Sequence, residues 1–311
     1  MDPAYPQRTR IYQNHHLDST RWDVIEQRPN DIIVSTAYKC GTTWTQTIVL
    51  HLIFQDLEFR QLSEFSPWIE FRRNELQKIK ETVANQTHRR CLKSHVPADA
   101  VPYSPDARYV VVGRDARDVF MSMWNHYSNY TEEAYAEFNN PEGRVGGDCP
   151  RCPADIHDFW SSWITRGWFD WETDGYPFWS NFRHIQSWWD FRHLENVHFV
   201  HYNDLLDKPR EEIAALADFL GIACSEEMLG KIVEATSFRS MKSEAEKIAA
   251  STNEIFNGGA KTFINKGTNG RWISVLTDED LEKYETAVTR TLSPDCRSWL
   301  EARSEHAESD G

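Results

Sequence analysis

Positive charge is scarce in this chain. Its 311 residues include 34 Lys and Arg against 48 Asp and Glu, which gives a formal net charge of −14 at pH 7. This balance argues against non-specific binding to nucleic acid or to an anionic membrane. An anionic ligand would need a local cluster of basic side chains, and we expect no nucleic-acid partner.

Long apolar runs are also missing. No segment approaches the ~20 apolar residues that span a bilayer, and the N-terminal stretch MDPAYPQRTRIYQNHH has no hydrophobic signal-peptide core. We therefore expect no membrane span and a cytoplasmic location. With 40% hydrophobic and 26% charged residues, the composition is typical of a globular protein, and we favour a single domain.

Cysteine is sparse, with six residues scattered along the chain. Because no signal peptide is recognised, reduced thiols are expected rather than a disulfide framework. The one close pair, Cys149 and Cys152, has no second pair that would complete a zinc site. We interpret it as an incidental loop pair and expect no metal.

The remaining sequence alternates between strand-like and helix-like segments. β-Branched runs bounded by turn or charged residues predict buried parallel strands at Ile32–Ser35, Tyr109–Val112 and Val197–Tyr202. Helical apolar spacing covers residues 43–54, 156–164 and 209–220. The alternation predicts an α/β fold, a central parallel sheet flanked by helices on both faces. Residues 130–155 have loop composition and are predicted to form a mobile cover over a pocket.

The segment DIIVSTAYKCGTTWTQTIVLHLIF, residues 31–54, carries the clearest functional signal. A predicted strand leads into a Lys39-Cys40-Gly41-Thr42-Thr43 turn that opens a helix. The helix N-terminus offers unpaired backbone N–H groups, Gly41 lets the backbone approach a ligand, and Lys39 adds a positive charge. This predicts a phosphate or sulfate site. The Gly-x-x-x-x-Gly-Lys-Ser/Thr spacing of nucleotide hydrolases is absent, which argues against ordinary NTP hydrolysis.

Residues that directly follow the other strand-like segments add to this site, because open α/β sheets bind ligands beyond the carboxyl ends of their strands. Lys93 and His95 follow a short apolar piece around Leu92, and their spacing places both side chains on one side of a strand. Arg114 follows the second predicted strand, and Tyr202 ends the third. Cations, a histidine and an aromatic ring are thus predicted to converge on one crevice.

Five motifs in order resemble those of the cytosolic-type sulfotransferases. STAYKCGTTW is similar to the family's TYPKSGTTW loop, and GRDARDVFMSMWNHY to its 3′-phosphate motif. LKSHVP resembles KTHLP, TSFRSMK resembles TSFxxMK, and FINKGTNGRW resembles FxRKGxxGDW. The resemblance implies a P-loop-like phosphosulfate loop within a sulfotransferase domain over residues 31–300. A segment of residues 1–30 would precede it, and a disordered tail of residues 301–311 would follow.

The resemblance further implies transfer of a sulfuryl group from 3′-phosphoadenosine 5′-phosphosulfate (PAPS) to an acceptor hydroxyl or amine. In-line transfer needs positive charge on the transferring group and a base for the acceptor proton. We assign Lys39 and Lys93 to the charge and His95 to the base, with fixed cations in place of magnesium. The implied donor-binding residues are Lys39, Cys40, Gly41, Thr42, Thr43, Trp44, Arg114, Ser122, Tyr202, Thr236, Phe238, Lys266 and Gly267.

The chain departs from the family pattern at Asn265, where an arginine is usual, and this loses a bidentate phosphate contact. Arg271 stands where the family commonly has aspartate, and it is a candidate to compensate. An aromatic pocket is predicted to take a hydrophobic, hydroxyl-bearing small molecule. Its predicted walls are Phe65, Trp68, Tyr176, Phe178 and Trp179.

Other functions remain alternatives. A cysteine-dependent phosphatase would use Cys40, whose pKa a helix N-terminus would lower, but its Cys-x5-Arg spacing is absent because Gln46 occupies the arginine position. A P-loop kinase or NTPase shares the strand–loop–helix anion site but lacks a convincing magnesium-binding Asp. A non-catalytic nucleotide-binding protein would leave Lys93 and His95 without a purpose. The dimer segment common in relatives is not recognisable after Trp272, so the oligomeric state stays open.

Overall fold

A computed structural model describes residues 4–140 and 146–302. Its central sheet has four parallel strands, β1 Ile32–Thr36, β2 Cys91–Ser94, β3 Arg108–Gly113 and β4 Val197–His201, in the order β2-β1-β3-β4. The chain places β2 on one side of β1, and β3 and β4 on the other. The order therefore reverses between β1 and β3, which is where open α/β sheets form a ligand crevice.

Helices cover both faces of this sheet. Those in the described residues are α1 Thr42–Phe54, α2 Leu62–Phe65, α3 Leu76–Asn85, α4 Ala116–Ser128, α5 Glu132–Phe138, α6 Ile156–Thr165, α7 Asn181–Trp189, α8 Tyr202–Asp207, α9 Pro209–Leu220, α10 Glu226–Ala235, α11 Phe238–Ser243, α12 Ala245–Ile248, α13 Gly259–Phe263, α14 Asp278–Thr291 and α15 Pro294–Leu300. Short 3-10 segments occupy Ser19–Val24, Ala250–Thr252 and Arg271–Ser274.

Successive strand residues pack into two separate apolar cores, because side chains alternate across a strand. Val110 and Val112 join the core formed with α1, α9 and α10. Tyr109 and Val111 join the larger core, which α4, α6 and α7 cover. Burial on both faces explains why β3 is an uninterrupted apolar run rather than an alternating one.

Local signals fix the helix ends. Pro209 opens α9, where a missing backbone N–H costs nothing, and Gly221 closes it in the left-handed conformation with φ 66°. Thr277 and Asp280 form a reciprocal capping box at the start of α14. Pro209 and Gly221 are the signals that made the predicted helix bounds of residues 209–220 correct.

The predicted loop of residues 130–155 is wrong in its first part. Thr131 accepts a hydrogen bond from the Ala134 backbone N–H and thereby caps α5, an N-cap that the polar composition conceals. Residues 141–145, within the predicted cover, lie outside the described residues. Residues 303–311 of the predicted tail do so too.

The N-terminal segment belongs to the larger core rather than standing apart from it. Tyr12, Leu17 and Trp22 are buried there, and the Asn14 amide donates to the Phe178 carbonyl over 2.9 Å. All six cysteines are free thiols, and four of them are buried. None of the helices in the described part of the chain is both long and apolar enough to cross a membrane.

Candidate active site

A cavity of about 240 Å³ opens at the carboxyl edge of the sheet. The loops and helices that follow all four strands contribute to its wall, through Lys39, His95, Arg114 and Tyr202. Residues 238–267 supply further parts of the lining. The predicted convergence of the strand ends is therefore present in the fold.

The turn between β1 and α1 has the conformation that an anion site requires. Lys39 and Gly41 both have positive φ, of 65° and 100°. A Cβ at Gly41 would lie 2.8 Å from the Tyr202 ring, so only glycine fits there without a shift. Gly41 is also the N-cap of α1 and makes no side-chain cap, which leaves backbone N–H groups facing the cavity.

A hydrogen bond to the backbone holds His95 in a tautomer that can act as a base. Its Nδ1 lies 2.8 Å from the Thr36 carbonyl, which can only accept, so Nδ1 carries the proton and Nε2 the lone pair in the neutral ring. Burial lowers the pKa of His95 well below its usual value, and the neighbouring Lys93 lowers it further. The ring is therefore neutral near pH 7 and able to take a proton.

Two half-buried lysines flank this histidine. Burial lowers the pKa of Lys39 to about 7, with Lys93 and Arg114 adding to the effect. Burial also lowers the pKa of Lys93 to about 8, opposed by the buried carboxylate of Glu70. The Lys93 Nζ lies 4.5 Å from the centre of the Trp68 ring, and the Lys39 Nζ lies 4.4 Å from that of Phe263. Clustered cations of this kind suit an anionic ligand.

Arg114 and Arg271 mark the cationic corner of the cavity. Arg114 donates to the Asn269 side chain over 2.7 Å and to the Lys39 carbonyl over 3.4 Å, and no described carboxylate forms an ion pair with it. The buried Nε of Arg271 has no hydrogen-bond partner among the described residues. Burial, followed by the charge of Arg114, lowers the pKa of Arg271. Two guanidinium groups that form no ion pair with a described carboxylate favour the binding of a negatively charged ligand.

Aromatic rings lie beside this corner. Trp44 and Tyr202 meet edge to face at 5.6 Å, and Phe238 packs on Gly267 so closely that a Cβ there would lie 2.4 Å from the ring. Gly267 has φ 67°, the left-handed region that favours glycine. These flat surfaces are suited to stacking with a planar base.

Most of the predicted site residues line the cavity. Those that do are Lys39, Gly41, Thr42, Thr43, Trp44, Trp68, Lys93, His95, Arg114, Ser122, Tyr202, Phe238, Lys266 and Gly267. The lining residues do not include Cys40, Phe65, Tyr176, Phe178, Trp179 or Thr236. The hydroxyl of Thr236 is instead bonded to the Ile232 carbonyl over 2.8 Å, within its own helix turn.

The prediction that the Cys40 pKa is lowered is wrong. Burial raises the pKa of this thiol to about 12. The side chain is buried in the larger core, where the Asn181 amide lies 3.8 Å from its sulfur. This removes the nucleophile that a cysteine-dependent phosphatase would need.

The aromatic walls are also placed differently from the prediction. Phe65 turns towards α1, where its ring lies 5.8 Å from Phe54, and Tyr176 stacks on Trp168. Phe178 and Trp179 are buried in a layer behind Tyr38, with ring centres 5.5 and 4.6 Å from it. Of the predicted walls, Trp68 does line the cavity. The other apolar lining residues include Phe71, Tyr130, Phe138, Ile255, Phe256 and Phe263.

Sequence reasoning missed two polar residues of the site. His126 lies on α4, one turn beyond Ser122, and its Nδ1 is 3.4 Å from the Lys39 Nζ. Its position four residues after Ser122 was the available signal, since such residues share a helix face. Glu70 is fully buried and accepts from the Trp22 indole over 2.6 Å and from the Ser94 hydroxyl over 2.5 Å. No local pattern marks it.

Comparison with known proteins agrees with this geometry. Residues 29–294 match the family described as the sulfotransferase domain. The chain is 28% identical over 317 residues to a glycolipid sulfotransferase of Mycobacterium bovis (strain BCG / Pasteur 1173P2), with 96% of each chain covered. Mouse sulfotransferase SULT7A1 complexed with PAP has a similar fold, with a TM-score of 0.68, 20% identity and coverage of 91% and 92% of the two chains. Retinol dehydratase in complex with androsterone and inactive cofactor PAP also has a TM-score of 0.68, at 20% identity and coverage of 92% and 88%.

Proposed function

Because this chain belongs to the sulfotransferase family, and is an enzyme that transfers sulfuryl groups, we propose that PAPS is its donor and a hydrophobic alcohol or phenol its acceptor. The kinase or NTPase alternative receives no support from these similarities. Membership of an enzyme family likewise speaks against a non-catalytic nucleotide-binding protein.

The observation that carries the proposal is the placing of a base between two cations. His95 carries its lone pair on Nε2, as the Thr36 carbonyl dictates, and Lys39 and Lys93 line the same cavity. A base and two charge stabilisers are what in-line sulfuryl transfer requires. A protein that only bound nucleotide would have no use for this combination.

We propose that the donor extends from the β1–α1 turn to the cationic corner. Backbone N–H groups of Gly41, Thr42 and Thr43 would bind the 5′-phosphosulfate end. Arg114, Ser122 and Lys266 would bind the 3′-phosphate, with Gly267 bringing its backbone close. Trp44, Tyr202 and Phe238 would stack on the adenine. Fixed cations would then neutralise the charge that magnesium carries in phosphoryl transfer.

The chemical step follows from these positions. The acceptor oxygen forms a bond to sulfur while the bond between sulfur and the phosphate oxygen breaks, and the acceptor proton passes to His95 Nε2. Lys39 stabilises the negative charge that develops on the leaving phosphate, and Lys93 stabilises the equatorial oxygens of the sulfuryl group. The products are a sulfated acceptor and 3′-phosphoadenosine 5′-phosphate (PAP).

The acceptor class follows from the other half of the cavity. Trp68, Phe71, Phe138, Phe256 and Phe263 give it an aromatic lining. Such a wall favours an apolar body that presents a single hydroxyl to the base. Relatives named for glycolipids, and a neighbouring structure that holds androsterone, are consistent with acceptors of this kind.

Radiolabelled donor provides the test. Purified protein should transfer the labelled sulfuryl group to members of a panel of hydrophobic alcohols, phenols, sterols and glycolipids. Calorimetry should show PAP bound at least tenfold more tightly than AMP, because a charge-assisted contact contributes roughly 1.5–3 kcal/mol. Equal affinities for PAP and AMP would reject the proposed donor, and tight magnesium-dependent ATP binding would restore the kinase alternative.

A further inference from the structure

A row of neighbouring polar side chains leads from the candidate active site into the larger core. All its members lie within the described residues, and the row ends on a backbone carbonyl, that of Pro177. Its members, in order from the cavity, are Lys39, His126, Tyr38, Tyr130, His16 and His15. None of the motifs quoted above includes Tyr130 or the histidine pair, and His126 lies at the end of the segment GRDARDVFMSMWNHY, where no role was assigned to it.

The outer half of the row reaches the catalytic lysine. The Lys39 Nζ lies 3.4 Å from His126 Nδ1, and His126 Nε2 lies 3.1 Å from the Tyr38 hydroxyl. The hydroxyls of Tyr38 and Tyr130 are close enough for each to affect the pKa of the other, and this contact joins the outer half of the row to the inner half. Among the described residues no carboxylate pairs with Lys39, so His126 is its side-chain hydrogen-bond partner.

The inner half ends in the core. The Tyr130 hydroxyl lies 3.1 Å from His16 Nε2, and the Nδ1 atoms of His16 and His15 form a short contact. His15 Nε2 lies 2.8 Å from the Pro177 carbonyl. Both histidines are 1% exposed, so water cannot satisfy these nitrogens.

The terminal carbonyl dictates the direction of the bonds in the inner half of the row. Burial lowers the pKa of His15 to about 3 and the pKa values of His16 and His126 well below the usual value, so each ring is neutral and carries one proton. Because a carbonyl only accepts, His15 must donate from Nε2, and its Nδ1 must then accept from His16 Nδ1. His16 Nε2 is therefore an acceptor for the Tyr130 hydroxyl.

The same logic continues outwards. The Tyr130 proton is used in the bond to His16, so its oxygen is left to accept from Tyr38. The Tyr38 oxygen accepts from His126 Nε2, because the Lys39 ammonium beside Nδ1 can only donate. His126 is left with a lone pair on Nδ1, the atom that faces Lys39. The alternative tautomer of His126 would direct an N–H at an ammonium group, where no hydrogen bond can form.

We propose that His126 is a positioning residue for Lys39, locked by this row in the tautomer that accepts a hydrogen bond from the lysine. This rests on the catalytic role proposed for Lys39. One N–H of the ammonium is tied to His126, and the other two remain available to the leaving phosphate. The lone pair also offsets the charges of Lys93 and Arg114, which together with burial disfavour the protonated lysine. The Phe263 ring covers the remaining side of the ammonium.

Nitrogen NMR tests the row without any assay of activity. In the ¹⁵N-histidine-labelled protein at neutral pH, His15 and His126 should be protonated on Nε2 and His16 on Nδ1. Finding His16 protonated on Nε2 would overturn the proposal, because the groups of the row would then not all donate towards the Pro177 carbonyl. A stoichiometric metal bound by the histidine pair would also overturn it. The Cys149 sulfur lies within 4.8 Å of both rings, so metal analysis of the purified protein belongs with this test.

Variants of His126 test the consequence for Lys39. His126→Phe removes the acceptor, whereas His126→Asn places an amide oxygen near the position of Nδ1. The Phe variant should move the alkaline limb of the kcat/KM profile for the donor down by about one pH unit, since a hydrogen bond to a charged group is lost. The Asn variant should restore most of this shift. Identical profiles for the two variants would show that His126 acts only as packing.

A more distant variant tests the row itself. Tyr130→Phe cuts the row between Tyr38 and His16 and should shift the same limb in the same direction by less. Tyr135→Phe is the matched control, because its hydroxyl lies outside the row and accepts from the Cys152 backbone N–H, 3.1 Å away. Absence of sulfuryl transfer by the unmodified protein would reject the proposed function instead, and the NMR result would still decide on the row.

Discussion

The two lysines beside His95 set the expected pH range of the reaction. Their pKa values, lowered to about 7 and about 8 by burial, mean that both lose their protons as pH rises through that range. Only the ammonium forms stabilise the developing charge. The kcat/KM for the donor should therefore fall above about pH 7, and a pH–rate profile that stays flat to pH 9 would contradict this assignment.

His95 gives a prediction for turnover. Replacing His95 with Ala should lower kcat about 10²–10⁴-fold, because the acceptor proton loses its base. Affinity for PAP, measured by calorimetry, should change little. His193→Ala, at an exposed position, is the control and should behave like the unmodified enzyme. An active His95→Ala enzyme with an unchanged pH profile would exclude this histidine from the chemistry.

Arg271 is our candidate to replace the arginine that the family usually has at position 265. It lines the cavity beside Arg114, and its buried Nε lacks a partner among the described residues. We therefore expect Arg271→Ala to weaken PAP binding at least tenfold. Asn265→Arg should be neutral or harmful, since a third guanidinium would crowd the corner. Tighter binding by ~1–2 kcal/mol in Asn265→Arg would show instead that the position is vacant.

At the scale of elements, the turn at Gly267 brings the chain against Phe238. Gly267→Ala would place a methyl group 2.4 Å from that ring and strain a positive φ, so the ring must move. We expect PAP affinity to fall about tenfold or more in calorimetry. Gly221→Ala is the matched control, because its φ is also positive at 66° but nothing lies within 4 Å. It should cost about 1 kcal/mol of stability and leave binding unchanged.

Sequence patterns predicted the strands that are buried on both faces and the helix that follows a distinctive turn. We found the strands around Ile33 and Val110 because a strand that is buried on both faces consists of a run of apolar residues. We found the helix after Gly41 because the residues of the preceding turn are a recognisable pattern. The helix α5 was missed, since it has only seven residues and its local signals are limited to the cap at Thr131 and two glutamates in the first turn. Residues 245–263, which contribute to the cavity lining, fold as short helices with few turns, and such segments have no periodicity to read.

The candidate site residues that come directly after a strand could be predicted from the sequence. Lys39, His95 and Arg114 each come directly after a strand, so parallel topology alone brings them together. His126 and Glu70 could not be predicted in this way, because their contacts join distant parts of the chain. The aromatic turn around Phe178 was misplaced for a related reason: composition signals burial but does not distinguish a cavity wall from the layer behind it.

For the whole molecule, donor-side ligands should stabilise the fold. PAP would join residues drawn from positions 39 to 271, so it binds only the folded chain. At a concentration of about 100 times its Kd, it should raise the free energy of unfolding by roughly 2.7 kcal/mol, and AMP at the same concentration by less. Thermal unfolding monitored with each ligand checks this. Equal shifts of the melting temperature would argue that the 3′-phosphate makes no contact.

Three buried thiols should react slowly with alkylating reagents in the native protein. Burial raises the pKa values of Cys40, Cys91 and Cys296 to about 12, and only the thiolate reacts with alkylating reagents. In the folded state these three sulfurs are therefore doubly protected, by protonation and by steric exclusion. Their modification must await an opening of the structure, and the three sites sit in different places, beside the anion-binding turn, in an edge strand and in the last helix. The rate at which each thiol is labelled thus reports how often its own part of the molecule opens. The three thiols can therefore serve as probes of local unfolding at three positions.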